Sequence, residues 1–332
     1  MRYDAILIIS FGGPERREDV IPFLENVLRG RNVPHERLLE VAEHYYHFDG
    51  CSPINQQCRA LISALGNPDL VPIYWGNRNW SPMLADTVRQ MAERGVKRAL
   101  AIATSAYSSY SGCRQYIENI AAARAVVGDS APIIDKLPPF WSHPGFITAN
   151  CDRVSAAFSR IPDDRRPATR LVFTAHSIPV AMSSTCGYED QLVQTARLIS
   201  AAVDHEEWDL VWQSRSGPAI QPWLEPDILD HLRALADNGV RDIVVSPIGF
   251  LSDHMEVMYD LDYEAAALSA ELGVNFVRAA TAGTHPAVIA MLRDLIAQHQ
   301  TGERPLCDPD CCPSPAPRRP TAATDPVIRV QS

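Results

Sequence analysis

Three short apolar runs occur in the same order in each half of this 332-residue chain, and that repetition limits the fold more than any other feature. Leu7-Ile8-Ile9-Ser10 is echoed by Leu171-Val172-Phe173-Thr174, and Val71-Pro72-Ile73-Tyr74-Trp75-Gly76 by Asp209-Leu210-Val211-Trp212-Gln213-Ser214. The third pair is Val96-Lys97-Arg98-Ala99-Leu100-Ala101-Ile102 with Val240-Arg241-Asp242-Ile243-Val244-Val245-Ser246. Short, apolar runs separated by amphipathic segments are the pattern of a parallel sheet wrapped by helices. Ahead of the third strand a glycine, Gly95 or Gly239, ends a helix. The expectation is an α/β chain of two similar halves, with ligand chemistry beyond the carboxyl ends of the strands and a cleft between the halves.

The spacing divides the chain into a first half over residues 1–150 and a second over 151–304, followed by a cysteine-rich segment at 305–312 and a Pro-rich tail at 313–332 that cannot build a core. The first half is longer between its first and third strands. The surplus falls on Val27 to Gly50, rich in Arg, His and Tyr, and reads as an insertion over the cleft. A net charge of -10 argues against a nucleic-acid partner, and 46% hydrophobic residues suffice for a real core. No stretch has the roughly 18 apolar residues of a membrane span, and the opening run is too short for an export signal. A cytoplasmic protein is expected, in which eight cysteines point to metal ligation rather than disulfides.

Two strand ends carry the chemistry. The run Leu171-Val172-Phe173 ends in Thr174-Ala175-His176-Ser177, and the run Ile243 to Phe250 ends in Ser252-Asp253-His254-Met255-Glu256. Acids recur at Asp260 and Glu264, so Glu256, Asp260 and Glu264 share one face of a helix. One histidine or one helical acid is more often structural. An acidic row on an otherwise apolar helix, at a strand's carboxyl end and opposite an imidazole, suits cation binding and proton transfer together. Aromatic residues including Tyr45, Tyr107, Tyr116, Trp80 and Trp212 could line a site for a large flat ligand, although each alone is more simply a core residue. Cys307, Cys311 and Cys312 form a C-x3-C-C group that needs a fourth ligand, and spacing does not choose among Cys51, Cys58, Cys113, Cys151 and Cys186, nor between zinc and an iron–sulfur cluster. No dinucleotide fingerprint, P-loop, H-E-x-x-H or G-x-S-x-G is present.

Five motifs, Ser10-Phe11-Gly12-Gly13-Pro14, Gly50-Cys51-Ser52-Pro53-Ile54, Ala175-His176-Ser177-Ile178-Pro179, Trp212-Gln213-Ser214-Arg215-Ser216-Gly217-Pro218 and Ser252-Asp253-His254-Met255-Glu256, resemble those of the ferrochelatases in order and spacing, from about residue 3 to residue 312. The resemblance implies two Rossmann-like, doubly wound halves, each with a parallel four-stranded sheet, and a porphyrin cleft between them. It implies insertion of Fe2+ into a porphyrin with release of two protons, His176 and Glu256 being the catalytic, metal-facing residues. Asp260 and Glu264 match the family's acidic metal and proton path, and Ser52 and Tyr116 match porphyrin-contacting positions. The cluster-bearing members imply a 2Fe-2S cofactor on Cys151, Cys307, Cys311 and Cys312.

The sequence looks most like actinobacterial members, which implies coproporphyrin III as substrate and coproheme as product, for a downstream coproheme decarboxylase. A water-soluble tetracarboxylate suits the absence of a membrane anchor and the basic segment Leu28 to Pro34. Phe11 stands where some coproporphyrin enzymes carry an iron-ligating tyrosine, so axial ligation from there is not expected. A monomer is expected. The alternatives are a protoporphyrin IX ferrochelatase, a cobalt chelatase of the same fold, and a non-catalytic heme-binding or iron–sulfur protein.

Overall fold

The computed structural model describes residues 2–30, 33–66, 71–217, 220–307 and 310–314. In the first half, strands β1 (Ala5–Ser10), β2 (Ile73–Asn77), β3 (Arg98–Ala103) and β4 (Ile133–Lys136) form a sheet in the order β2-β1-β3-β4. In the second, β5 (Arg170–His176), β6 (Trp208–Gln213), β7 (Asp242–Ser246) and β8 (Asn275–Arg278) repeat that order as β6-β5-β7-β8. Every pairing is parallel. All four carboxyl ends of each sheet therefore lie at one edge, and the repeat legible in the sequence is a repeat of topology.

Period-two alternation sorts the strand residues between two cores. Ile6 and Ile8 of β1 join Phe173 of β5 and Val244 of β7 in one core that runs through both halves. Leu7 and Ile9 point the other way, onto Val88, Met91 and Ile120 of the outer helices Leu84–Glu93 and Gln115–Val127. Val172, Ile243 and Val245 do the same in the second half, against Leu232 and Leu261. The helix Pro286–Thr301 ties the halves together, packing on Ile54–Leu65 of the first and on Pro144–Phe158.

Two expected boundaries move. Residue 150 lies inside the helix Pro144–Phe158, which packs against β7, β8 and the helix Tyr188–Ala202, so this helix belongs with the second half. The insertion begins earlier than residue 27. It is a helical hairpin, Val20–Leu28 against His35–Tyr46, with its own small core of Val20, Phe23, Leu24, Leu38 and Ala42. Arg31 and Asn32 of the expected basic lid lie outside the described residues, as do Pro218 and the tail from residue 315.

After its third strand each half inserts a π-helix, Tyr110–Arg114 behind β3 and Met258–Ala265 behind β7. Such segments interrupt regular helices and gather at functional sites. The second carries Asp260 and Glu264 of the acidic row; the first carries Cys113.

Candidate active site at the strand ends

Close backbone packing brings the two chemical strand ends together. A Cβ on Gly249 would come within 2.5 Å of the Ala175 Cβ, so only glycine lets the chain leaving β7 cross the end of β5 beside His176. That chain then starts the short helix Met255–Val257, with His254 as its N-cap: the His254 Nδ1 accepts from the Glu256 N–H at 3.2 Å. On the other wall Gly12 has φ +81 and a Cβ there would meet the Asn77 Cβ at 2.8 Å, which seats the Phe11-to-Pro14 turn between the end of β2 and Ser52. The Ser52 N–H donates to the Pro14 carbonyl at 2.8 Å, and Ser52 is 3% exposed.

His176 Nε2 lies 3.6 Å from Glu256 Oε1. The other ring nitrogen, Nδ1, is in short contact with the Ser177 carbonyl oxygen, which accepts its proton and assigns the tautomer. Nε2 is thus the nitrogen free to take a proton. Tyr188 donates to the His176 carbonyl at 3.1 Å and steadies the strand end. Burial alone would lower the imidazole pKa; the Glu256 carboxylate overcomes it and raises the pKa. Burial likewise works against Glu256, yet the His176 charge brings its carboxyl down to about 2. The Glu256 side chain is nonetheless 47% open to solvent, beyond the strand ends rather than in a packed interior.

The row continues into the π-helix. Asp260 accepts from the Ser214 hydroxyl and, at 3.3 Å, from the Gln213 side-chain amide, which also donates to the Glu256 carbonyl at 3.1 Å. Burial, with the charges of Glu256 and Glu264, pushes Asp260 up to about 7 despite the Ser214 bond. Burial raises Glu264 as well, Asp227 adding to it. The expected row of acids exists, but its helix is π rather than α from residue 258. Either winding leaves residues four apart on nearly one line, so the pattern did not reveal the difference. Asp253 turns aside to pair with Arg278 at 3.1 Å.

Ser52 stands on that other, first-half wall, beside the Phe11-to-Pro14 turn. Tyr116 is 5% exposed, within the outer core of the first half and under the Arg78 guanidinium, which sits 4.9 Å from its ring centroid and 5.6 Å from that of Phe11. Arg78, Gln213 and Ser214 were missed by sequence reasoning. All three lie at or just beyond the ends of β2 and β6, the one signal that would have found them. Of the aromatic residues expected around a flat ligand, Tyr107 is a fully buried core residue, and Tyr45 and Trp80 pack against the insertion's small core. The insertion reaches across to the second half: His44 stacks on Tyr259 at 3.8 Å and 4°, and His47 meets Tyr263 at 4.0 Å.

The thiol group is built differently from expectation. The sulfurs of Cys113, Cys311 and Cys312 lie within 4.8 Å of one another, and Cys307 is hydrogen-bonded to Cys113. Cys151 is not among them. Its thiol packs beside the shared core, where burial raises its pKa. Cys113, not Cys151, is therefore the cysteine that stands beside the C-terminal thiols, because the first π-helix carries it to where that segment returns. Hydrogen bonds from Cys307 and Cys312 lower the Cys113 pKa, and Lys136, 8% exposed, adds to this with its Nζ 3.3 Å from the sulfur. The Leu137 carbonyl takes another proton of that ammonium at 3.0 Å.

Comparison with known proteins places the chain in a family. The ferrochelatase family model matches residues 3–300. A ferrochelatase of Rhodopirellula baltica is 52% identical, over 97% of this chain and 96% of its own. Coproporphyrin III ferrochelatases of Nocardia farcinica and Mycolicibacterium smegmatis are each 50% identical, covering 97% and 95% of this chain and 99% and 95% of theirs. Among solved structures, the sirohydrochlorin chelatase SirB of Bacillus subtilis with Fe3+ superposes with a TM-score of 0.54 at 14% identity, over 90% of this chain and 97% of that one, a likeness of fold.

Proposed function

The chain belongs to the ferrochelatase family, and on that premise we propose that it inserts Fe2+ into coproporphyrin III, releasing two protons and giving coproheme for heme biosynthesis. The observation that carries the reading is the His176–Glu256 pair, 3.6 Å apart and continued by Asp260 and Glu264. A free porphyrin holds two pyrrole N–H protons, and the metal enters as they leave, so the exchange of one dication for two protons conserves charge. His176 accepts the two pyrrole protons one after the other at Nε2, releasing the first to the acidic row before the second arrives, since Nδ1–H is committed to Ser177. Glu256, kept ionised by His176, stabilises the imidazolium that forms, and Asp260 is the carboxyl of the row that takes up the proton. A carboxyl near pKa 7 both takes and gives up a proton at neutral pH. Glu264 completes the exit. An imidazole nitrogen and a carboxylate oxygen are also suitable ligands for ferrous iron on its way in. Ser52 and Arg78 hold the substrate on the opposite wall, Arg78 as partner to a propionate, with Tyr116 supporting it from beneath.

Coproporphyrin rests on the names of the 50% identical relatives from Nocardia and Mycolicibacterium; the Rhodopirellula relative is named without a porphyrin. Side-by-side metallation of coproporphyrin III and protoporphyrin IX by the purified chain decides it. Faster turnover of protoporphyrin IX would sink the substrate assignment. No described helix is long and apolar enough to cross a membrane, which is compatible with a cytoplasmic enzyme passing product to a decarboxylase.

The reading extends to a 2Fe-2S cluster held by Cys113, Cys307, Cys311 and Cys312. All four donors are sulfur, and the buried Lys136 ammonium requires a negative partner, which a thiolate or a thiolate-ligated cluster provides. Such a cluster supplies one-electron redox capacity and a covalent tie for the C-terminal segment, and no step of metallation runs through it. Absorption and electron paramagnetic spectra of the fresh protein test it: one tightly bound zinc without iron would replace the cluster.

A further inference from the structure

We propose that the cavity where the two halves meet is a binding site for a small oxyanion of carboxylate or phosphate type, with Arg153 as its main contact. The cavity measures about 200 Å³. Gln57 and Thr104 line it from the first half, Arg153, Ser252, Thr281 and Thr284 from the second. None of His176, Glu256, Ser52 or Tyr116 borders it, so it is separate from the metallation site. It is far too small for a tetrapyrrole, and has room for a small anion with a few waters.

The chemistry of the lining selects the ligand. Arg153 Nε is buried and has no hydrogen-bond partner, and among the described residues the guanidinium has neither a hydrogen bond nor an ion pair. An enclosed guanidinium N–H without an acceptor is unfavourable, and the planar fork fits the two oxygens of a carboxylate or phosphate. The one acid on the wall, Asp253, is already neutralised by Arg278 at 3.1 Å, so the charge left unmatched is positive. Serine and threonine hydroxyls and the Gln57 amide complete a donor set for an oxyanion.

The position gives such a ligand leverage. The Asp253 N–H donates to the Gln57 side-chain oxygen at 2.9 Å, a direct bond between halves on the cavity wall. Asp253 lies in the segment that leads to Glu256. An anion bridging Arg153 to the first-half wall would brace that segment and hold the two halves in register.

Calorimetric titration and thermal denaturation of the iron-free, porphyrin-free chain test this, with inorganic phosphate and citrate in separate arms at matched ionic strength. At least one anion should bind saturably and raise the melting temperature, phosphate or citrate identifying its chemical source. Arg153→Met should weaken that binding at least tenfold while leaving metallation without added anion unchanged. Thr281→Val, which keeps the guanidinium, should weaken it less, and serves if the arginine variant folds poorly. Absence of saturable binding in both arms overturns the site, as does wild-type affinity in either variant.

Discussion

His176 at the end of β5 and Glu256 beyond the end of β7 meet at 3.6 Å, each shifting the other toward its charged form. Neither residue has this property alone. If His176 is the proton acceptor, His176→Ala should lower kcat by about 100- to 10,000-fold, the usual range for losing a positioned acid–base group. Glu256→Gln should fall in the same range. Porphyrin binding, read by fluorescence titration, should survive in both variants, and full activity in both would remove the pair from the mechanism.

Metallation needs His176 neutral when the pyrrole proton arrives. Its raised pKa places that condition at higher pH, so kcat should climb with pH above the ordinary 6.5 of an imidazole. A pH–rate profile that is flat across this range would contradict the role.

Asp260 gives an independent pH signature in stability. Its folded pKa of about 7 lies above the ordinary 3.8, so its contribution is fully present below 3.8 and is lost as pH rises to about 7. Asp260→Asn removes that loss. The variant's melting temperature relative to wild type should rise between pH 4 and pH 7 and then level off, while its metallation rate drops because the proton path is cut. A difference in melting temperature independent of pH would mean that Asp260 is not held protonated.

The two candidate fourth ligands separate cleanly. If the proposed cluster is bound, Cys113→Ser should abolish it, and Cys151→Ser should leave its spectrum and metal content unchanged, since of the two only Cys113 stands with Cys311 and Cys312. Lys136→Met removes the cation 3.3 Å from the Cys113 sulfur and should shift the centre to a lower reduction potential and faster loss to chelators. Unchanged potential and lifetime would deny Lys136 any part in holding the charge.

The insertion is clasped to the second half by the His44–Tyr259 stack. Aromatic pairs contribute about 0.5–1.5 kcal/mol beyond their area. Tyr259→Ala should therefore speed hydrogen exchange in the helix His35–Tyr46 and raise KM for the porphyrin by up to about tenfold, the factor that 1.4 kcal/mol corresponds to. Exchange rates identical to wild type would show that the hairpin's own core of Phe23 and Leu38 is enough.

Much of this was readable in one dimension because it is local. β1 and β5 announce themselves as short apolar runs, and His176 follows the second of them directly. The acids at 256, 260 and 264 carry a helical period that survives the change from α to π. Cys113 was not readable: five cysteines met the same spacing, and only the path of the C-terminal segment across the first π-helix brings one of them against Cys311 and Cys312. The same holds for Ser214, whose hydroxyl matters only because β6 ends beside the π-helix that bears Asp260.

The sequence by itself determined the two α/β halves, their strand repeats and the residue types at the strand ends, because period and composition act over a few neighbouring residues. The tertiary structure decided which groups share a field: His176 with Glu256, Asp260 with Ser214, Cys113 with Lys136. Electrostatic and ligand geometry depend on distances of a few ångströms through space, and these are set by how the strand ends are packed together, not by separation along the chain.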